Sequence, residues 1–265
     1  MIHLRITGTG PPVLLLHGAP SPAEDFRPLV ERLSRRHRFI WPDLPGYGLT
    51  PPLEAKASVP RVQVVVEDAL LAMGVLELAV VGHSFGAYRG FSLALGGRVK
   101  VTDLVCLGGY CRVDDADRPA LQATVEALRK LADFKDEAFR RSFAERMLAP
   151  GAAKEHPERV EQVGKWLDLT SPGALADETE SMLEARDLLP HVGTLKARVT
   201  MRVGALDAVA RPRYAEEIAL RMRSAQVQLV PGAGHALLAE DPFRTLEALD
   251  EALKAQVAPR RERED

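Results

Sequence analysis

The sequence of 265 residues contains no asparagine, only two cysteines and few aromatic residues (5%). Cys106 and Cys111 are too few and too close together for a disulfide framework, and no Cys/His spacing resembles a metal site. Both read as inert thiols, and neither a metal nor any other cofactor is expected. The missing asparagine and the excess of arginine over lysine fit a GC-rich genome or a warm habitat. A basic excess is also missing: 35 Lys and Arg stand against 37 Asp and Glu, a net charge of -2, so no nucleic-acid partner is expected. The start of the chain has no long apolar run, since His3, Arg5 and several polar residues interrupt it. Neither a signal peptide nor a membrane span or membrane partner is expected, and a cytoplasmic location follows as the default. What is present is 46% hydrophobic and 27% charged residues, in a length that suits one large α/β domain or a core with an insertion.

The chain is organised around Val80-Val81-Gly82-His83-Ser84-Phe85-Gly86, where an apolar strand runs through a glycine-flanked serine into a helix. The approach, Leu76 to Val81, has the pattern of a strand covered on both faces in a parallel sheet. A serine on so sharp a turn sits at strained backbone angles, and bulky neighbours would collide, so Gly82 and Gly86 flank it. This is the G-x-S-x-G nucleophile elbow, which lifts the hydroxyl clear of the sheet. The competing reading is a tight turn whose serine merely caps the next helix.

Strands and helices alternate from Val13 to Leu107 and again from Val199, which predicts a mostly parallel sheet of about seven strands with helices on both faces. An edge strand over Ile2 to Ile6 precedes it, and the final helix is expected to open at His235 and run through Leu249 and Leu253. Between these parts, residues 112–191 show only helical spacing broken by Pro and Gly, as in Leu121/Val125/Leu128 and Phe139/Phe143/Met147. The expected organisation is therefore a core of residues 1–111 and 192–257, an all-helical cap of residues 112–191 inserted before the last two strands, and a charged tail of residues 258–265. Phe134, Phe139, Phe143 and Trp166 either line an acyl pocket or form the cap's own core.

Ser84, Asp207 and His235 each fall at the C-terminal end of a buried strand, where open α/β sheets place their ligands. A serine hydroxyl needs a base within reach, and the base needs an acceptor to set its tautomer. The order Ser, Asp, His suits such a sheet. Asp207 could instead cap the next helix, His235 could simply start one, and Asp114 or Asp115 is a competing acid. His83 is expected to point away from the nucleophile by strand alternation and to be a packed or loop-bonded histidine and not the base, and His17 to shape its loop. The oxyanion donors would be the amides of Phe85 and Ala19, the latter competing with a plain Gly-Ala-Pro turn.

These residues resemble the α/β-hydrolase superfamily, in particular its capped small-molecule hydrolases. The resemblance rests on His17-Gly18-Ala19-Pro20, Asp43-Leu44-Pro45-Gly46-Tyr47-Gly48, Gly82 to Gly86, Gly204-Ala205-Leu206-Asp207 and Gly232-Ala233-Gly234-His235. Haloalkane dehalogenases and soluble epoxide hydrolases are similar in the early turn but carry Asp where this chain has Ser84. Ala87 and Leu49-Thr50 depart from residues that many relatives have. The resemblance implies a serine hydrolase cleaving small carboxylic esters or lactones through an acyl-enzyme on Ser84. Two alternatives stay open: a C–C hydrolase or hydroxynitrile lyase with the same triad, and a ligand-binding signalling protein similar to the karrikin and strigolactone receptors. The expected partner is a small-molecule substrate; a homodimer is compatible with the sequence.

Overall fold

A computed structural model describes residues 2–54 and 56–257; the expected charged tail lies outside the described residues. Seven strands form one sheet: β1 (His3–Thr7), β2 (Pro12–Leu16), β3 (Arg38–Asp43), β4 (Glu77–His83), β5 (Lys100–Leu107), β6 (Arg198–Gly204) and β7 (Gln226–Val230). They lie in the order β1-β3-β2-β4-β5-β6-β7. β1 pairs antiparallel with β3, and every other pair is parallel, as the alternation of strands and helices predicts.

The unbroken apolar runs of β2 and β4 follow from covering both faces of the sheet. Leu14, Leu16, Leu78 and Val80 point into one core layer, while Val13, Leu15, Ala79 and Val81 point into the other. The first layer is closed by α2 (Val59–Ala72), α3 (Phe85–Gly96) and α9 (Pro212–Arg221), which contribute Val62, Val66, Phe91 and Ile218. The second is closed by α1 (Arg27–Leu33) and α11 (Pro242–Val257), through Leu29, Leu33, Leu249 and Leu253.

Between β5 and β6 the described chain forms no strand. It runs through α4 (Arg118–Leu128), α5 (Glu137–Met147), α6 (Ala152–Glu155), α7 (Pro157–Gly164) and α8 (Pro172–Leu183). These helices share a separate apolar cluster that includes Val125, Phe143, Val163, Trp166 and Leu175. The block is tied to the loop after β3, where Gly48 N–H donates to Leu169 O at 2.9 Å.

The single final helix expected from His235 is two helices. α10 (Leu237–Glu240) stops at Asp241, and α11 starts at Pro242. Proline lacks the N–H that would continue α10 and drives the preceding residue out of the helical region, where Asp241 stands at φ -139, ψ 62.

Candidate active site

Ser84 stands between β4 and α3 at φ 54, ψ -121, and among the described residues it is the only non-glycine with positive φ. Such a conformation costs about 1–3 kcal/mol and persists only where the surroundings impose it. Here they leave no slack: a Cβ on Gly82 would lie 2.6 Å from Ala87 N, and one on Gly86 would lie 2.0 Å from Leu16 O. The serine does not spend its hydroxyl on capping, because Ser84 forms no side-chain cap bond with α3. That removes the capping reading of the elbow.

Asp207 and His235 meet although 28 residues separate them: His235 Nδ1 lies 2.8 Å from Asp207 Oδ2. Both residues are buried. Because a carboxylate oxygen only accepts, Nδ1 carries the proton and Nε2 is left as the basic nitrogen. The other oxygen, Asp207 Oδ1, accepts the Val209 and Ala210 amides at 2.8 Å each, so the carboxylate is held on both sides. Asp207 therefore shapes the loop after β6 and binds the histidine at once.

Ser84 is brought to this pair through the end of β5. Its N–H donates to Leu107 O at 2.9 Å. The next residue, Gly108, sits at φ 51, and a Cβ there would stand 3.0 Å from His235 Nδ1 and 3.2 Å from Asp207 Oδ2. Only glycine fits between the serine's anchor and the Asp–His pair. Among the described residues no hydrogen bond joins the Ser84 hydroxyl to the His235 ring, a contact that in such sites often tightens only with substrate present.

The loop bearing His235 is held by the helical block. The His235 and Ala236 amides both donate to Met147 O at 2.9 Å. Glu240 accepts the Gly234 amide at 2.8 Å through Oε2 and the Ala149 amide at 2.6 Å through Oε1. Burial pushes the Glu240 carboxyl up, against the pull of these two amides. Glu240 carries no local sequence signal, because its two partners lie 6 and 91 residues away.

Ala19 and Ser84 both line a cavity of about 650 Å³. Phe85 opens α3, so its amide is among those that have no acceptor within the helix. The loop preceding Ala19 is set by His17, whose Nδ1 lies 2.9 Å from Gly18 O and whose Nε2 accepts the Leu44 amide at 3.0 Å. Burial pushes the His17 pKa down. The loop-shaping role expected for His17 agrees with these bonds.

His83 is a packed, loop-bonded histidine, as expected, but the direction expected for it is corrected. It does not turn away from the site: its ring centroid is 5.0 Å from that of His235, and its Nε2 donates to His235 O at 3.3 Å. Alternation reports only the two faces of a strand, and at the end of β4 the loops after β2 and β7 supply the partners of His83, Ser21 and His235. Burial, followed by the nearby His235, pushes the His83 pKa down to about 3, so the ring is neutral.

The competing acids are not brought to His235. Asp114 pairs with Arg213 at 2.5 Å, and the Asp115 side chain is 95% exposed beside Arg118. Cys106 and Cys111 are both buried as free thiols, and burial pushes the Cys111 thiol up to about 12. Phe139 and Phe143 line the cavity beside Leu121, Leu128 and Met182, whereas Phe134 and Trp166 belong to the helical block's own core. Among the described residues, no group of three or more His, Cys, Asp or Glu is placed to hold a metal, and no helix is long and apolar enough to cross a membrane.

The model of the alpha/beta hydrolase family matches residues 13–249. The putative carbamate hydrolase RutD of Escherichia coli O157:H7 (strain EC4115) is 32% identical over 113 residues, which cover 42% of this chain and 42% of the length of that relative. A thermophilic esterase from Thermogutta terrifontis, solved with malate bound, superposes with a TM-score of 0.86 at 25% identity, covering 96% of this chain and 93% of that one. The enol-lactonase of Burkholderia xenovorans LB400 superposes equally well, with a TM-score of 0.86, 96% of each chain covered and 18% identity.

Proposed function

The chain belongs to the alpha/beta hydrolase family, and on that footing we propose that it is a serine hydrolase of small carboxylic esters or lactones. The observation that carries the reading is the strained, uncapped Ser84 whose backbone anchor adjoins a buried Asp207–His235 pair. Ser84 Oγ attacks the substrate carbonyl while His235 Nε2 takes its proton. The Ala19 and Phe85 amides hold the oxyanion of the tetrahedral intermediate. His235 then passes the proton to the departing alkoxide, leaving the acyl group on Ser84. A water molecule attacks this acyl-enzyme, gives its proton to His235, and the carboxylic acid departs as Ser84 recovers its hydrogen. Asp207 orients the His235 ring and stabilises the imidazolium.

The helices of residues 112–191 act as a cap, and an apolar wall of Leu121, Leu128, Phe139, Phe143 and Met182 favours small apolar acyl groups over extended chains. Similarity to the putative carbamate hydrolase RutD adds carbamates to the substrates to be compared.

The test is a fluorophosphonate probe combined with kcat/KM for p-nitrophenyl acetate, butyrate and laurate, a lactone, a carbamate and an alanine anilide. Expected are labelling at Ser84 that Ser84→Ala abolishes, and cleavage of the short esters well ahead of the anilide. Labelling elsewhere would overturn the nucleophile, and faster anilide than butyrate cleavage would make the protein an aminopeptidase. Binding of a ligand without steady-state turnover would favour a signalling role, and lyase or C–C cleavage without ester turnover would favour those chemistries.

A further inference from the structure

The segments that carry the proposed oxyanion donor, nucleophile and base come from three parts of the chain, and one imidazole touches all three. Gly18 N–H donates to Ser21 Oγ at 3.1 Å, and that hydroxyl lies 2.9 Å from His83 Nδ1. On the other side of the ring, Nε2 lies 3.3 Å from His235 O. The directions of these bonds are fixed from both ends. Ser21 Oγ receives the Gly18 proton and so has its own hydrogen free for Nδ1, while a backbone carbonyl can only accept, so Nε2 is the protonated nitrogen. His17, Ser21, His83 and His235 are all buried, at 0%, 1%, 6% and 2% exposure, so water does not compete for these bonds.

His17 holds the carbonyl of Gly18, through Nδ1 at 2.9 Å, and the Ser21–His83 bonds hold the amide side of the same residue. Gly18 N–H is taken by Ser21, Pro20 has no amide hydrogen, and Ala19 therefore presents the free amide beside Ser84. The loop also runs hard against the elbow: a Cβ on Gly18 would stand 2.8 Å from Ser84 Cβ and 3.2 Å from His83 Nδ1. A small outward shift of this loop moves the Ala19 amide away from where an oxyanion forms. Hydrogen-bond donation to that oxygen depends steeply on distance, and a displacement matters more in the transition state than in substrate binding.

We propose that His83 is a positioning residue that holds the oxyanion loop, through the Ser21 hydroxyl, in register with the loop bearing His235. It touches no reacting atom and transfers no proton. The proposal rests on the serine hydrolase reading, in which Ala19 donates to the oxyanion. It assigns Ser21 a function that its place in a Pro-rich turn does not suggest.

The experiment compares wild type, Ser21→Ala, Ser21→Thr, His83→Phe and the Ser21→Ala/His83→Phe double variant, each checked for folding by circular dichroism and thermal melting. The measurements are kcat and KM for p-nitrophenyl butyrate, and the inhibition constant of a trifluoromethyl ketone, whose hemiketal oxygen mimics the oxyanion. Ser21→Ala is expected to lower kcat about tenfold with KM within about twofold, and to weaken the trifluoromethyl ketone by the same factor as kcat/KM. Ser21→Thr, which keeps the hydroxyl, should restore most of the loss. The double variant should be no worse than its weaker parent, because both changes cut one chain of bonds. A folded Ser21→Ala with unchanged kcat, or losses that multiply in the double variant, overturns the positioning role while leaving the hydrolase reading intact. If His83→Phe does not fold, the Ala and Thr variants at position 21 decide alone. A wild-type protein that turns over no ester overturns both readings.

Discussion

Arg89 on α3 donates through Nη1 to Glu178 Oε1 on α8 at 2.7 Å, and with side-chain exposures of 4% and 3% the pair is buried between the sheet domain and the helical block. The Arg89 guanidinium also lies 4.2 Å over the ring of Phe85, the first residue after the nucleophile. Among the described residues its Nε and Nη2 have no hydrogen-bond partner, so the pair carries an uncompensated desolvation cost. Such a pair joins two parts of the molecule without being a strong source of stability.

Breaking this pair from one side should therefore be harmful, and replacing it entirely should not. Glu178→Leu leaves a buried guanidinium without its counter-charge and is expected to cost about 3–5 kcal/mol. The Arg89→Met/Glu178→Leu double variant should recover most of that stability, because neither partner is left charged. Urea unfolding of the wild type, the single variant and the double variant measures both values; a double variant as unstable as the single one would show that the charges are a net stabilising pair.

Replacing Asp207 by Asn should lower kcat about ten-thousandfold with the fold kept, because an amide that donates to Nδ1 stabilises the wrong tautomer of His235. Asp114→Asn should change kcat less than twofold, since Asp114 faces Arg213 and Arg112 and not the histidine. The comparison needs only p-nitrophenyl butyrate kinetics on three purified proteins. The opposite ranking would transfer the acid to the loop after β5.

Asp25 gives a pH dependence of stability whose sign is set by its environment. Burial pushes this carboxyl from its ordinary value of 3.8 up to about 7, against a weaker opposing pull from Trp166. Between these two values the folded protein binds a proton that the unfolded chain does not. The group's favourable contribution is thus complete below about 4 and is lost as pH rises towards 7. Asp25→Asn should melt above wild type at pH 8, with the advantage shrinking as pH falls towards 4. Differential scanning calorimetry at pH 4.5, 6 and 8 tests this, and a pH-independent gain would mean that the Asp25 carboxyl titrates normally.

The elbow, the alternation of strands and helices and the seven-stranded sheet are legible in consecutive residues because they are local. The strain at Ser84 demands Gly82 and Gly86 beside it, and strands buried on both faces must read as unbroken runs such as Val13 to Leu16. Asp207 and His235 are visible as polar groups at strand ends, since parallel strands deliver their C-terminal ends to one edge. The break between α10 and α11 was also written locally, in Pro242.

What the tertiary structure alone decided are the pairings across the chain. Gly108 fits under the Asp–His pair, Glu240 bridges residues 6 and 91 positions away, and Arg89 meets Glu178 across 89 residues. The packed, loop-bonded character of His83 is legible, but its direction is not, for the same reason: its partners Ser21 and His235 lie 62 and 152 residues away. Periodicity reports which face of an element is buried. It carries no information about which distant group shares that burial, and an isolated buried polar atom is stable only once packing has supplied its partner.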